Sequence, residues 1–286
     1  MIKSFCISLE KNKSLWPELR SNFIENGITD ITIYPAVNGP EIGNFFNFEK
    51  GNSNVSEKTK EIINSLGGID KIVSTWGLYH LYNKTYRKDH AQLGSWGAVG
   101  CALSHMFLWQ HIVDENLPMA IIFEDDIEMD PTFKEKLPEI LNNIPEDADV
   151  VFLDVFMNFK PLQYNDMFDR VMGQFFGLHA YIMTNKGARK LLPQTLPIEI
   201  QIDSYIGFRA DLKKIKLYTA KGICRQKAHI SSIQSTRPCI FCDVNDQDLS
   251  FYDFLLKFLV VIFLVFISLI VFSKLFSLFS KKKTAG

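Results

Sequence analysis

The chain has 286 residues with 31 basic and 32 acidic side chains, so its formal net charge at pH 7 is −1. That length suits one large domain or two small ones, and a net charge near zero argues against general binding of nucleic acid, which requires a basic face or stripe. Hydrophobic residues make up 47% of the chain and charged residues 22%, as in an average globular protein, which excludes disorder throughout. We therefore expect a folded domain and no nucleic-acid partner.

The first part of the chain alternates between short strands and one helix. Apolar residues recur every four positions at Leu15, Leu19 and Phe23, which predicts a helix that Gly27 can end. The strands predicted on either side of this helix are Ser4–Leu9 and Ile31–Tyr34.

Residues 40–93 are polar and irregular, which indicates a surface insertion with short helices such as Val55–Leu66. Regular alternation returns after it, with the helix after Thr184 capped by that residue's hydroxyl. The pattern predicts an α/β fold built on a single sheet, with Met119–Phe123 apolar throughout, as in strands buried in parallel sheets. The elements predicted there are helix Val99–Val113, strand Met119–Phe123, helix Pro131–Ile144, strand Val150–Leu153, strand Phe175–Thr184 and helix Lys186–Leu192.

The C-terminal segment is the most apolar part of the chain. Eight of the 24 Phe residues lie between Phe251 and Phe279, and no charged residue occurs from Phe258 to Ser273. Residues 254–279 are long enough to cross the bilayer core if the lysines near each end reach the interfaces. A buried core helix is the alternative, but the basic tail at 280–286 favours a transmembrane helix, joined to the main domain by a linker at 236–253.

The N-terminal residues contain no apolar stretch long enough for a signal peptide. We therefore expect a single-pass C-terminal membrane anchor with the main domain in the cytosol. The five cysteines are an odd number without the spacing of a disulfide framework, which suits a reducing compartment.

Cys239 and Cys242 form an isolated CxxC motif. Together with Cys224 and His229 they offer four ligands for zinc, but the spacing fits none of the usual zinc fingers. Thiols beside a membrane that are open to acylation, or plain linker cysteines, are the alternatives.

Three consecutive carboxylates, Glu124, Asp125 and Asp126, follow the apolar strand that begins at Met119. The carboxyl edge of strands is where ligands bind in open α/β sheets, and like charges placed there need compensation. A divalent cation such as Mg²⁺ or Mn²⁺, bridging to phosphate oxygens, is one natural partner. The alternative is a solvated acidic turn in which Asp130 caps the following helix.

The sequence also resembles a known family. Residues 93–112, LGSWGAVGCALSHMFLWQHI, followed by IIFEDDI at 121–127, resemble the signature of glycosyltransferase family 25, which includes lipooligosaccharide and procollagen galactosyltransferases. Three further pieces agree in the same order, and the resemblance extends over residues 1–235. These pieces are Phe5–Leu9 with Arg20, the turn Tyr34–Gly39, and Ala180–Ala188 with Ile202 and Asp203.

The resemblance implies a GT-A fold, in which a nucleotide-binding α/β sheet with helices on both faces holds a UDP-sugar. It implies that Asp126 and Glu124 hold Mn²⁺, or Mg²⁺, on the diphosphate. Asp125, Asn38, Ser104 and His105 are the residues that it assigns to binding the nucleotide-sugar. Asn38 stands where relatives often have Asp and can still hydrogen-bond a ribose or base, while Ala98 stands where they often have Glu, which leaves the acceptor open.

Family members invert the configuration of the transferred sugar, so a carboxylate must take the proton of the acceptor hydroxyl. We expect Asp203 to be this base and keep Asp154 in reserve. The resemblance implies a metal-dependent transferase that moves galactose, or else glucose, from UDP to a glycan, lipid-linked glycan or protein hydroxyl, and the predicted C-terminal helix would hold this enzyme at a membrane. Two alternatives remain: a catalytically silent nucleotide-sugar-binding protein on a membrane, and a metal-dependent phosphoester hydrolase.

Overall fold

A computed structural model describes residues 2–46, 55–83, 90–157, 161–220, 222–227 and 258–268. The chain divides into two compact units, Met1–Pro238 and Cys239–Gly286. The first unit is a mixed α/β domain, and the candidate site lies in it.

Most strands of the first unit belong to one mixed sheet of eight strands in the order β2-β1-β3-β10-β5-β11-β8-β7. Strands β1, β3, β5 and β11 run in the same direction, while β10 runs between β3 and β5 in the opposite direction. Two short pairs, β12 with β4 and β6 with β9, lie outside the main sheet. In chain order the strands are β1 Lys3–Ser8, β2 Ile31–Pro35, β3 Met119–Glu124, β4 Ile127–Met129, β5 Val150–Phe152, β6 Phe156–Met157, β7 Leu162–Gln163, β8 Phe168–Val171, β9 Phe175–Phe176, β10 Ala180–Thr184, β11 Leu217–Ala220 and β12 Cys224–Gln226.

Helices cover both faces of this sheet, because alternate residues of each strand point to opposite sides. On β3, Ile122 packs into the core under α6, α8 and α9, whereas Phe123 packs into the core under α1 and α7. The α-helices are α1 Trp16–Glu25, α2 Gly39–Phe46, α3 Glu57–Ser65, α4 Ile69–Ile72, α5 Thr75–Tyr82, α6 Trp96–Asp114, α7 Phe133–Asn142, α8 Asn185–Leu191 and α9 Ile202–Asp211, with 3₁₀ helices at Glu10–Leu15 and Leu192–Gln194.

Helix α6 is the central helix of the first unit, and most of its residues are buried. Its N-cap, Ser95, accepts a hydrogen bond from the amide of Ala98. Close contact with α2 depends on glycine, because a β-carbon at Gly100 would lie 2.5 Å from the backbone nitrogen of Gly39. This approach brings the turn before α2 against α6, where the candidate site is built.

The predicted elements are confirmed within a few residues in most cases, and Thr184 caps α8 by accepting from the amide of Gly187 at 3.0 Å. Two expectations are wrong. The strand predicted at Phe175–Thr184 is divided into β9 and β10, because Gly177 between them has a φ of +88° that extended backbone does not allow. The single sheet is accompanied by two short pairs, and the apolar strand β3 lies between one parallel and one antiparallel neighbour.

In the second unit the structure describes residues 258–268, which form a helix with every side chain exposed. Within the described parts of the chain, no helix combines the length and the apolar character needed to cross a membrane. Most of the predicted span 254–279 and the remaining tail lie outside the described residues, so the membrane anchor and the cytosolic location stay predictions. Of the four possible zinc ligands, Cys224 is described and is buried in β12, while Cys239, Cys242 and His229 lie outside the described residues.

Candidate active site

A pocket with a volume of about 150 Å³ lies at the carboxyl ends of β1 and β3. Its wall is made by the ends of these strands, the turn before α2, one side of α6 and Gln226 of β12. The structure brings together here all the side chains that the sequence assigns to metal or nucleotide-sugar binding. These are Asn38, Ser104, His105, Glu124, Asp125 and Asp126.

Glu124 is the last residue of β3, and two side chains of α6 contact its carboxylate. His105 Nε2 lies 3.1 Å from Glu124 Oε1, and Cys101 Sγ lies 3.9 Å from the same oxygen. Burial would raise the pKa of Glu124, but the hydrogen bond and charge of His105, with a smaller contribution from His179, lower it below its ordinary value. Glu124 is therefore an anion at neutral pH although only 16% of its side chain is exposed.

A chain of three buried groups orients this carboxylate. Trp109 Nε1, which can only donate, gives its hydrogen bond to the Tyr181 hydroxyl at 2.8 Å, and that hydroxyl lies 2.8 Å from His105 Nδ1. The Tyr181 hydroxyl is thus free to donate to Nδ1, which leaves Nε2–H to donate to Glu124. Every group in this chain then has a hydrogen-bond partner, and the chain holds the Glu124 carboxylate from the α6 side.

Asp125 is directed to β1 instead. Its Oδ2 accepts hydrogen bonds from Ser8 Oγ at 2.6 Å and from Asn12 Nδ2 at 3.0 Å. Ser8 is held in turn by Trp16 Nε1, which donates to Ser8 Oγ at 3.0 Å. Asp125 therefore ties the end of β3 to the end of β1 and to the 3₁₀ helix that follows it.

Asp126 is directed to β12. Gln226 Nε2 donates to Asp126 Oδ2 at 2.8 Å, and the Lys227 amide donates to the Asp126 carbonyl at 2.8 Å. The three adjacent carboxylates thus diverge to three different elements, and each has its own hydrogen-bond donors. Part of the charge compensation that the sequence led us to expect from a cation comes from the protein itself.

The side-chain atoms that line the pocket are partly suited to bind a hard divalent cation. Glu124 and Asp126 are carboxylates on one pocket wall, and carboxylate oxygens are the ligands that Mg²⁺ and Mn²⁺ prefer. Among the described residues, however, the one group of three ligand-type side chains whose atoms lie within 4.8 Å of one another is Cys101, His105 and Glu124. The side chains of that group contact one another through Glu124, and the assignment of Glu124 and Asp126 to such an ion stays a prediction.

Asn38 and Ser104 line the pocket but are engaged with the protein. Asn38 Nδ2 donates to Glu41 Oε1 at 2.8 Å. Ser104 Oγ accepts from the Val37 amide at 2.8 Å and donates to the Gly100 carbonyl at 2.6 Å. Both side chains hold the turn before α2 in place, and their contacts with a ligand stay predictions.

Asp203 lies in the first turn of α9 and reaches the same edge of the sheet. Its oxygens accept from the backbone amides of Ser204 at 2.7 Å and Gly177 at 3.4 Å. Burial raises the pKa of Asp203 to about 6, and the nearby charge of Glu124 acts in the same direction, while the two amides oppose the rise. Part of its surface is open, so this carboxyl group combines access with a proton affinity suited to a general base.

Asp154, the reserve base, has a different environment. It follows β5, and its Oδ2 lies 3.0 Å from His179 Nε2, whose side chain is fully buried just before β10. The Glu124 amide donates to the carbonyl of His179 at 2.9 Å, which places this pair on the same sheet edge. The Asp154 carboxylate is hydrogen-bonded to His179, whereas the Asp203 carboxylate accepts hydrogen bonds from backbone amides.

Sequence reasoning missed several residues that build the pocket: Ser8, Asn12, Gln226, Trp109 as a donor, and Tyr181. Ser8 and Gln226 belong to no recognisable sequence motif. Ser8 lies 117 positions from its partner Asp125, and Gln226 lies 100 positions from its partner Asp126. A signal did exist for Tyr181 and Trp109, because a buried Tyr or Trp usually needs a polar partner. His105 is four positions before Trp109 on the same helix, which was the available clue.

The chain was compared with known proteins. The profile described as Glycosyltransferase family 25 (LPS biosynthesis protein) matches residues 1–206. A "Glycosyltransferase 25 family member" of Aedes aegypti is 25% identical over 214 residues, which are 71% of this chain and 30% of that protein.

Two vertebrate proteins match a shorter part. "Procollagen galactosyltransferase 1-A" of Xenopus laevis is 26% identical over 133 residues, 43% of this chain and 22% of that protein. "Probable inactive glycosyltransferase 25 family member 3" of Bos taurus is 27% identical over 137 residues, again 43% of this chain and 22% of that protein. The matches thus span less than a third of each of these three relatives. Because the family profile covers most of the chain, including Asn38, α6, the acidic edge and Asp203, the chain belongs to glycosyltransferase family 25.

Proposed function

We propose that this protein is a metal-dependent inverting glycosyltransferase that moves a hexose from a UDP-sugar to a hydroxyl group. The observation that carries the proposal is the pocket at the ends of β1 and β3, where six side chains assigned from sequence lie together. The mixed sheet with helices on both faces agrees with the GT-A fold that the family resemblance implies. Galactose is the first candidate for the sugar, because the Xenopus relative is named a galactosyltransferase, and glucose is the second.

The donor would lie across the ends of β1 and β3. Glu124 and Asp126 would hold a divalent cation, Mn²⁺ or Mg²⁺, which supplies positive charge to the departing diphosphate. A second cavity of about 460 Å³ adjoins the pocket through Asn38 and Leu9, which line both. Asn38, which lines both cavities, would hydrogen-bond the ribose or base of the donor.

Asp203 would take the proton of the acceptor hydroxyl. As it does so, the acceptor oxygen forms a bond to the anomeric carbon and the bond from that carbon to the UDP oxygen breaks. A base with a pKa near 6 is ionised at neutral pH and still accepts a proton readily. The acceptor would be a glycan, a lipid-linked glycan or a protein hydroxyl.

Calorimetry of the full chain with UDP, in EDTA and in Mn²⁺, tests the donor site. We expect tight binding only with Mn²⁺, and in Asp126→Asn an affinity at least about tenfold weaker, because one carboxylate ligand is lost. Asp130→Asn is the matched control, since Asp130 lies four positions away and only accepts from Thr132 in a turn. Equal affinity for UDP in EDTA and in Mn²⁺ would reject the metal assignment.

A second candidate is a silent member of the family that binds nucleotide-sugar without transferring it. It is favoured by one observation, the similarity to a Bos taurus protein whose name describes it as inactive. The two candidates separate in one assay, because a silent protein would bind UDP with Mn²⁺ but release no UDP from any UDP-sugar. The intact carboxylates at Glu124, Asp126 and Asp203 favour the active enzyme.

A further inference from the structure

A row of exposed aromatic side chains lies on one face of α5. Trp76, Tyr79 and Tyr82 recur every three residues, and the exposed fractions of these residues are 57%, 57% and 42%. The other side of the helix faces the interior, where Gly77 and His80 are buried. The outer face of a surface helix ordinarily carries charged and polar residues, so an aromatic outer face indicates a binding surface.

Neighbouring rings of this face pack on one another. Trp76 and Tyr79 are stacked, with ring centroids 5.4 Å apart and 14° between their planes. His80 meets the Trp76 ring edge-on, with centroids 4.6 Å apart. Because the rings are already held in place, a ligand that packs on them costs little additional side-chain entropy.

Helix α5 packs directly on the segment that leads to the candidate base. A β-carbon at Gly77 would lie 2.6 Å from the Ile198 carbonyl oxygen, so only glycine allows this approach. The amide of Ser74 donates to the same oxygen at 3.1 Å. The chain then runs from Ile198 through the N-cap Gln201 to Asp203 in the first turn of α9.

A second series of contacts joins the same face to the donor pocket. The ring of Tyr82 lies 5.6 Å from that of Phe46, and Phe46 lies 6.0 Å from Trp96, centroid to centroid. Trp96 begins α6, and the next residue, Gly97, lines the pocket. Helix α5 thus contacts the segment before Asp203 through its buried side, and Tyr82 of its aromatic face connects through Phe46 and Trp96 to the pocket wall at Gly97.

We propose that the aromatic face of α5 binds a neutral saccharide portion of the acceptor, an inference that rests on the proposed transferase function. One face of a pyranose ring presents C–H groups, which pack on aromatic rings while the hydroxyl groups stay in water. Residues Thr75–Tyr82 include no Asp, Glu, Lys or Arg, so the helix offers no ion pair to a phosphate, an anionic lipid headgroup or a charged peptide. A neutral sugar matches the exposed aromatic rings and the lack of charged side chains on this helix.

The test is binding of the full chain to an array of neutral and acidic glycans, followed by titration of the neutral glycans that it retains. We expect Trp76→Ala and Tyr79→Ala to weaken binding about tenfold each, and Trp76→Phe to restore part of it. Tyr164→Ala is the matched control, because Tyr164 is also an exposed tyrosine, at 52%. It lies outside α5 and packs on Tyr218 of β11. The thermal unfolding of the variants should change little, since the deleted rings are on the surface.

Absence of any retained neutral glycan, or equal binding by wild type and Trp76→Ala, would overturn the inference. Loss of binding to phosphatidylcholine vesicles in Trp76→Ala, without glycan binding, would overturn it in favour of a membrane surface, and a Trp76-dependent dimer in sedimentation would do so in favour of a second copy. UDP affinity with Mn²⁺ is measured in the same preparations. Normal UDP binding without glycan binding defeats this inference alone, whereas glycan binding without UDP binding defeats the proposed function.

Discussion

Two carboxylates on the same edge of the sheet, Glu124 and Asp203, have opposite electrostatic environments. Both are largely enclosed by protein, and burial alone would raise both pKa values. Glu124 receives an imidazole hydrogen bond from His105 and is held below its ordinary pKa, whereas Asp203 receives only backbone amides and is raised to about 6. The partners of each carboxylate, more than its burial, decide whether its pKa is raised or lowered, and a pair separated in this way is suited to divide the roles of cation ligand and base.

The sharpest test of this division is Asp203→Asn. If Asp203 takes the acceptor proton, kcat should fall about 10²–10⁴-fold while UDP affinity stays nearly unchanged, because the side chain acts only in the transfer step. The measurement is UDP release from UDP-galactose and UDP-glucose with a saturating acceptor. Asp154→Asn is the control, and a large loss of kcat there with an active Asp203→Asn variant would move the role of base to Asp154.

The pH dependence of stability probes the raised pKa without any catalysis. In EDTA, folding raises the pKa of Asp203 from 3.8 to about 6, so the folded protein retains a proton that the unfolded chain has released. The stability from this group is complete below about pH 4 and is lost as the pH rises through 6, a decrease of at most about 3 kcal/mol.

This decrease is measured as the difference between wild type and Asp203→Asn in urea unfolding from pH 4 to pH 7.5. We expect the wild type to lose stability relative to the variant over that range, and the change should be complete near pH 7. Parallel profiles would show that Asp203 titrates normally, and the contrast with Glu124 would then disappear.

The two sides of the site also differ in how far they could be predicted. The edge at Glu124–Asp126 follows from a local pattern, an apolar strand followed by acidic residues, and α6 follows from its apolar run. The divergence of the three carboxylates does not, because Ser8 and Gln226 reach them from distant parts of the chain. The environment of Asp203 depends on Gly177, which separates β9 from β10 and whose amide donates to the Asp203 carboxylate. The positive φ of Gly177 is a property of the folded backbone, so the sequence pattern did not predict it.

Tyr181→Phe tests the buried support of Glu124. Removal of the hydroxyl leaves Trp109 Nε1 without an acceptor and His105 Nδ1 without a donor, both in the interior. We expect a loss of about 2 kcal/mol in the free energy of unfolding, the usual cost of unsatisfied buried groups, together with weaker Mn²⁺-dependent UDP binding. Tyr218→Phe is a comparable control away from the pocket, since its hydroxyl donates to Asp147 at 2.8 Å. Full stability and UDP affinity in Tyr181→Phe would show that His105 does not depend on this chain.

The smallest effect is expected from Cys101→Ala. Cys101 lies within 4.8 Å of the ligand atoms of His105 and Glu124, a grouping that on its own resembles a site for a soft metal. Burial, with the charge of Glu124, raises the pKa of the Cys101 thiol well above its ordinary value, so the sulfur stays protonated and contacts Glu124 only at 3.9 Å. Removing it should change the Mn²⁺-dependent affinity for UDP by less than about twofold, because a hard cation takes carboxylate oxygens in preference to a thiol. The measurement is calorimetry beside Asp126→Asn, with Zn²⁺ added in a parallel series. If Cys101→Ala abolished metal binding while Asp126→Asn kept it, the cation would belong to the α6 side of Glu124, and Glu124 would share it with His105 instead of Asp126.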